Sequence, residues 1–210
     1  MPSLQHYLQK TPVIAILRGI RPAEISAVAG ILLDSGITAI EVPLNSPDAL
    51  QSIRQLRALC GDRAICGAGT VTNVQQVRDV ASAGGQLIVA PNTNPAVIKE
   101  ALARGLEVAP GCATASEAFT AIEAGASYLK FFSAGDIGAG AIRSIMAVLP
   151  PSVSPLAVGN IHEGNLAEFW AAGVRSFGVG SNVYTPGKSI EAIAEAASAV
   201  VATVRALQEP

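Results

Sequence analysis

At 210 residues, the length fits one larger domain better than two. Half of the residues are hydrophobic, 14% are charged and the formal net charge is −2. That excludes a disordered chain and argues against a partner held by phosphate neutralisation, such as a nucleic acid. Aromatic residues, at 4%, are too few for a base-stacking platform.

In chain order, β-rich apolar runs stand at 13–18, 38–42, 64–69, 86–90, 106–110, 127–132, 155–159 and 175–180, each followed by a helical candidate. A helix-ending glycine precedes the runs at Gly36, Gly84, Gly105, Gly125 and Gly173, after a small residue at each but Gly105, which follows Arg104. Glycine takes the left-handed C′ position of a helix at no Cβ penalty, so each site marks a helix ending and a strand beginning. Helix starts are expected at Pro22, at Ser46-Pro47, at Asn94-Pro95, at the Thr114/Glu117 capping box and near His162. The last helix carries one apolar face through Ile190, Ile193, Ala197, Val200, Val204 and Leu207. The strands are nearly continuous hydrophobic runs, as parallel strands covered on both faces should be. Eight alternating units predict a single-domain α/β protein, a compact (β/α)8 TIM barrel. A doubly wound open sheet is the second choice, disfavoured because no G-x-G-x-x-G follows the first strand.

The longest charge-free strings, 80–98 and 144–162, are broken by Gly, Pro and Asn, so no membrane span is expected. The N-terminal segment lacks a basic start followed by an apolar run, so no secretory signal is read there. Cys60, Cys66 and Cys112 are odd in number and have no metal-ligand spacing, and they read as reduced thiols of a cytoplasmic protein. With His6 and His162 as the two histidines, a His-rich metal site is excluded. Neither histidine lies near a G-x-S-x-G elbow, which sets a serine triad aside.

In such a barrel the chemistry sits at the C-terminal strand ends and the loops after them. Lys130, in YLKFF, is the sharpest signal there, because Lys10, Lys99 and Lys188 lie in polar or helical contexts. Strand alternation puts Lys130 and Phe132 on one face, and Leu129 and Phe131 on the other. A lysine facing the interior loses hydration, its pKa falls, and its neutral amine can attack a carbonyl. The alternative is a strand-end lysine whose stem packs while its head reaches water or an ion pair. Glu41, between Ile40 and Val42, is either a general acid–base or half of a structural ion pair for which Lys130 itself is a candidate partner. Arg18 suits a carboxylate, or a salt bridge across the mouth. The turns at 157–160 and 179–181 fit an anion, although glycine turns are common in any loop. GAGT at 67–70 reads as a close-approach strand end with the Thr70 hydroxyl beside it. His162 reads as a surface or capping residue, and Phe169 and Trp170 as packing.

AILRG, EVPLNSP, GAGTV, VAPN, PGCATASEA, YLKFF, AVGN and GVGS occur in the order of motifs of the KDPG/KHG aldolases, and the chain resembles that family over about residues 11–187. The resemblance implies a small metal-independent class I aldolase, a lyase with a (β/α)8 barrel and no cofactor beyond a Schiff base to its own lysine. It also implies a homotrimer acting on short 2-keto-3-deoxy sugar acids. It implies Lys130 as the Schiff-base lysine and Glu41 as the acid–base. Arg18 and Thr70 would hold the keto-acid carboxylate, Pro91 and Phe132 would shape the pocket, and Val158, Gly159, Asn160, Gly180 and Ser181 would meet the rest of the substrate and its phosphate. The ILRG and PLNSP forms, with Asn45 and Val158, resemble the branch that cleaves 2-dehydro-3-deoxy-6-phosphogalactonate to pyruvate and glyceraldehyde 3-phosphate. The gluconate epimer and 4-hydroxy-2-oxoglutarate are alternative substrates, and a non-catalytic sugar-phosphate sensor is an alternative role. Two positions depart from the family pattern: Ser133 stands where a proline is usual, and Asn160 where a glycine is.

Overall fold

The computed structural model describes residues 3–209. The elements run α1 (Leu4–Lys10), β1 (Val13–Ile16), α2 (Ile25–Asp34), β2 (Ala39–Pro43), α3 (Ala49–Cys60), β3 (Ile65–Gly69), α4 (Val74–Ser82), β4 (Leu87–Val89), α5 (Pro95–Ala103), β5 (Glu107–Ala109), β6 (Gly111–Cys112), α6 (Ala115–Glu123), β7 (Tyr128–Phe132), α7 (Ala134–Ile137), α8 (Ala139–Met146), β8 (Ser154–Val158), α9 (Leu166–Ala171), β9 (Ser176–Val179) and α10 (Ile190–Gln208). All strand pairs are parallel, in the order β5-β4-β3-β2-β1-β9-β8-β7-β6.

Among the described residues nine strands stand where eight were expected, and Pro110 is the reason. The fifth run is split into β5 and β6 around this residue, which has no N–H to give a ladder. β5 pairs with β4, β6 pairs with β7, and the Pro110 carbonyl accepts the Lys130 N–H at 2.9 Å. The two sheet ends are therefore successive pieces of one strand, and the barrel closes at Pro110.

Side-chain alternation divides the buried residues into two cores. Ile40, Val42, Leu129, Phe131, Ala157, Phe177 and Val179 point outward into the layer between barrel and helices. Ile14, Ile16, Ile65, Leu87, Ala109, Tyr128, Leu156 and Val158 fill the lumen, joined by Leu4, Tyr7 and Leu8 of α1. Helix α1 is thus a plug across the N-terminal mouth, and sequence periodicity over so short a segment did not reveal it. Ser3 caps α1, and the Tyr7 hydroxyl donates to the Asp62 carbonyl at 3.1 Å.

Some helix starts shift. Asn94 with Pro95 and the Thr114/Glu117 capping box begin α5 and α6 as expected. Pro22 begins a 3-10 turn, and α2 follows from Ile25. Ser46-Pro47 lies in a turn, because α3 starts only after Asp48 in the left-handed region. His162 lies in a turn ahead of α9, which begins at Leu166. On α10, Ile193, Ala197, Val200 and Val204 are buried, while Ile190 is exposed. Phe169 is buried, and Trp170 stacks on Phe177 at 6.4 Å under the Arg175 guanidinium, so both pack. Cys60, Cys66 and Cys112 are buried free thiols. No helix among the described residues is long and apolar enough to cross a membrane.

Candidate active site

A cleft of about 830 Å³ lies at the C-terminal mouth, over the ends of β1, β2, β7, β8 and β9. Arg18, Glu41, Lys130, Phe132, Val158, Gly159, Asn160, Gly180 and Ser181 all line it. Thr70 does not line it, but its hydroxyl lies 3.5 Å from Arg18 Nη2. Pro91 is also outside the lining. Its backbone lies against Gly111, where a Cβ would run into it.

Strand registry brings the two central groups into the lumen. On β7, Lys130 points inward between Gly111 of β6 and Leu156 of β8, and it is 5% exposed. The Nζ atom sits 4.6 Å from the centre of the Phe132 ring, a cation–π distance for the protonated form. Glu41 points inward from β2 opposite Ile16 and Gly67, and it is 2% exposed. A Cβ at Gly69 would fall on the Glu41 carboxylate. The second glycine of GAGT is therefore the floor on which that carboxylate lies. The first, Gly67, lets β3 approach the Leu87 backbone of β4.

Electrostatics follow from this burial. Desolvation pushes the Glu41 carboxyl up from 4.5 to about 7, with Lys130 and Arg18 pulling it back. Burial pushes the Lys130 amine below its usual value; Glu41 opposes this and Arg18 adds to it. No ion pair within 4.0 Å joins Lys130 to Glu41 among the described residues, and Glu41 Oε2 is buried without a hydrogen-bond partner. A structural salt bridge would have spent that oxygen. Here an amine whose pKa burial lowers and a carboxyl whose pKa burial raises to about 7 face one cavity, the directions that carbonyl attack and proton transfer require.

The rim is held by bonds between motifs. Arg18 Nη1 donates to Asn45 Oδ1 at 2.6 Å, and the Gly19 N–H donates to Ser46 Oγ at 2.9 Å. RG at the end of β1 and NS after β2 are thus one hydrogen-bonded strap. Around Asn160, φ is 54°, a left-handed conformation that asparagine tolerates better than most residues. Its amide donates to Asp136 Oδ1 at 3.2 Å, while a Cβ at Gly159 would run into Ser133. The two departures from the family pattern therefore lie on turns packed against each other. His162, Asn182 and Tyr184 also line the cleft. Sequence reasoning gave His162 only a surface or capping role and missed Asn182 and Tyr184, because all three follow strand ends in loops that carry no periodic signal.

The KDPG and KHG aldolase family model matches residues 4–198. The chain belongs to that family. It is 47% identical over 93% of its length to the 2-dehydro-3-deoxy-6-phosphogalactonate aldolase of Escherichia coli K12, covering 96% of that protein. A solved structure described as native KDPGal superposes with a TM-score of 0.94 at 46% identity, over 96% of this chain and 98% of that one. A KDPG aldolase from Legionella pneumophila, solved with pyruvate captured as a covalent carbinolamine, superposes with a TM-score of 0.80 at 25% identity, over 96% of each chain. The fold of this family member is the α/β barrel read from its sequence.

Proposed function

We propose that the protein is a class I aldolase that reversibly cleaves 2-dehydro-3-deoxy-6-phosphogalactonate to pyruvate and glyceraldehyde 3-phosphate. The observation that carries this is the buried, charge-averse Lys130 in one cleft with a carboxyl whose second oxygen is unspent. The close relationship to galactonate-type aldolases supports the choice of substrate.

Neutral Lys130 attacks the C2 ketone, and the carbinolamine loses water to give an iminium. Glu41 supplies and removes the protons of these steps. The iminium then draws in the C3–C4 bond electrons as Glu41, directly or through a water, takes the C4 hydroxyl proton. Glyceraldehyde 3-phosphate leaves and an enamine of pyruvate remains. Glu41 returns a proton to C3, and hydrolysis frees pyruvate and the lysine. The covalent iminium divides one difficult cleavage into easier steps. Arg18, steadied by Asn45 and Thr70, meets the substrate carboxylate as a fixed fork. The chain supplies the electron sink itself, so the reaction needs no further cofactor. A homotrimer and a cytoplasmic location belong to the same proposal, and light scattering and cell fractionation test them.

Borohydride reduction in the presence of pyruvate should leave a pyruvate-derived mass on Lys130. Absence of that adduct, with the protein folded, overturns the mechanism. A coupled assay for pyruvate release should show faster turnover of the galactonate than of the gluconate epimer. The reverse order would assign the gluconate substrate instead.

A further inference from the structure

Phe132 stands apart from the rest of its strand. Tyr128, Leu129, Lys130 and Phe131 are buried on β7, whereas Phe132 is 42% exposed at the cleft mouth. So exposed a ring gains little from burial, and packing does not account for its place. Its contact with Lys130 does. Alternation puts the two side chains on one face of β7, and the ring face lies over Nζ, 4.6 Å from its centre. The negative face of an aromatic ring attracts a cation held within about 6 Å of its centre.

Little else around Nζ suits a fixed positive charge. Gly111 and Leu156 flank Lys130 on the neighbouring strands, and Ile16 and Val158 line the same cleft. Arg18 faces the amine with like charge, and Glu41 faces it with opposite charge when ionised. No ion pair within 4.0 Å joins Lys130 to a carboxylate among the described residues. The aldol cleavage nevertheless passes through a full cation here. As the carbinolamine hydroxyl leaves as water with a proton from Glu41, the nitrogen lone pair closes the C=N bond and the charge settles on Nζ and C2. It disappears when the C3–C4 electrons flow in and leave a neutral enamine. Glu41 moves protons through these steps, so its own charge changes as the cation comes and goes. The charge distribution of a ring is permanent and takes up no proton, so it favours the cation without quenching it.

We propose that Phe132 is a catalytic residue whose ring face stabilises the iminium cation on Lys130. The proposal rests on the aldolase function set out above, and adds to it an electrostatic role beyond forming a wall of the pocket. Bound substrate covers the exposed ring and removes water from it, and the cation–π attraction strengthens as the pair is desolvated.

The test replaces Phe132 by mono-, di- and trifluorophenylalanine, which keep the outline of the ring while fluorine draws electron density from its face. Phe132→Leu and Phe132→Tyr complete the set. Borohydride trapping on Lys130 at subsaturating pyruvate reads the iminium population. The pH-independent value of kcat/KM for aldol cleavage, taken from a full pH profile, is free of any change in the resting charge of Lys130. Both should fall stepwise with fluorine content, by about tenfold in all, and Phe132→Leu should lose about as much. Phe132→Tyr keeps the aromatic face and should stay within about threefold of the parent. Equal trapping and equal kcat/KM across the fluorinated series overturn the proposal even if Phe132→Leu is impaired, because the ring would then act only as a wall. If the parent protein itself fails to trap pyruvate, the aldolase function falls first, and the two failures are told apart.

Discussion

The two ends of the barrel lumen are built from the same strands and do opposite things. At the N-terminal end, Leu4, Tyr7 and Leu8 of α1 stop the mouth and join Ile14, Ile65 and Tyr128 in a mainly apolar interior, with the half-buried Glu107 of β5 near Tyr128. At the C-terminal end, two residues further along the same inward-facing rows, stand Glu41 and Lys130. Gly69 keeps the space for the Glu41 carboxylate there, while Gly67 and Gly111 let neighbouring backbones close in. Apolar filling stabilises one end at no functional gain. At the other end two ionisable groups are desolvated at a cost to the fold, and their altered proton affinities are what the chemistry uses.

The widest gap between the two ends should open on changing Lys130. Lys130→Met keeps the length of the stem and removes the nucleophile, so aldol cleavage should drop by about 10⁴-fold or more. Stability should hold or rise by about 1 kcal/mol, because a desolvated amine is exchanged for an apolar side chain. Turnover assays and thermal melts check both halves, and a destabilised variant would mean that the lysine is structural. Glu41→Gln comes next, with kcat lower by about 10² to 10⁴. Its second signature is pH dependence. The carboxyl titrates near 4.5 when unfolded and about 7 when folded, so the folded state binds more protons between those values. The parent is therefore most favoured by this group below about pH 4.5, and loses that contribution as pH rises through 7, by about 3 kcal/mol in all. Glu41→Gln should lose that slope. Parallel stability curves for parent and variant across the window would show that Glu41 is not buried as a raised acid.

How far the sequence reveals these two ends differs for physical reasons. Strand periodicity and helix-ending glycines are local, and they place every barrel strand within a residue or two at most boundaries. They also put Lys130 and Glu41 on inward faces, since alternation fixes the face once the strand is known. Pro110 marks the split of the fifth strand in retrospect, but only the missing N–H in a formed ladder makes it a break. Helix α1 is invisible because seven residues give no period, and its role as plug depends on where the barrel mouth lies. The bonds Arg18–Asn45 and Gly19–Ser46 join loops that are 27 residues apart. His162, Asn182 and Tyr184 reach the cleft from loops, where turn geometry sets each side chain's direction one residue at a time. What the sequence shows is the rows; what it hides is the loops that meet above them.

Smaller effects on turnover sharpen the contrast. Gly69→Ala puts a methyl on the Glu41 carboxylate. The acid must swing away, so kcat should fall by about tenfold or more, and stability by about 1–3 kcal/mol from overpacking. A variant with parental kcat would show that the carboxylate does not need that floor. At the other end, Leu4→Ala removes a fully buried side chain from the plug. Cavity formation should cost about 2–5 kcal/mol of stability. Yet kcat measured well below the melting temperature should stay within about twofold of the parent, because the catalytic groups take their positions from strand registry and from glycines at the far mouth. If kcat falls in step with stability, the two ends are mechanically coupled, and the lumen acts as one body rather than a plug below and a reaction chamber above.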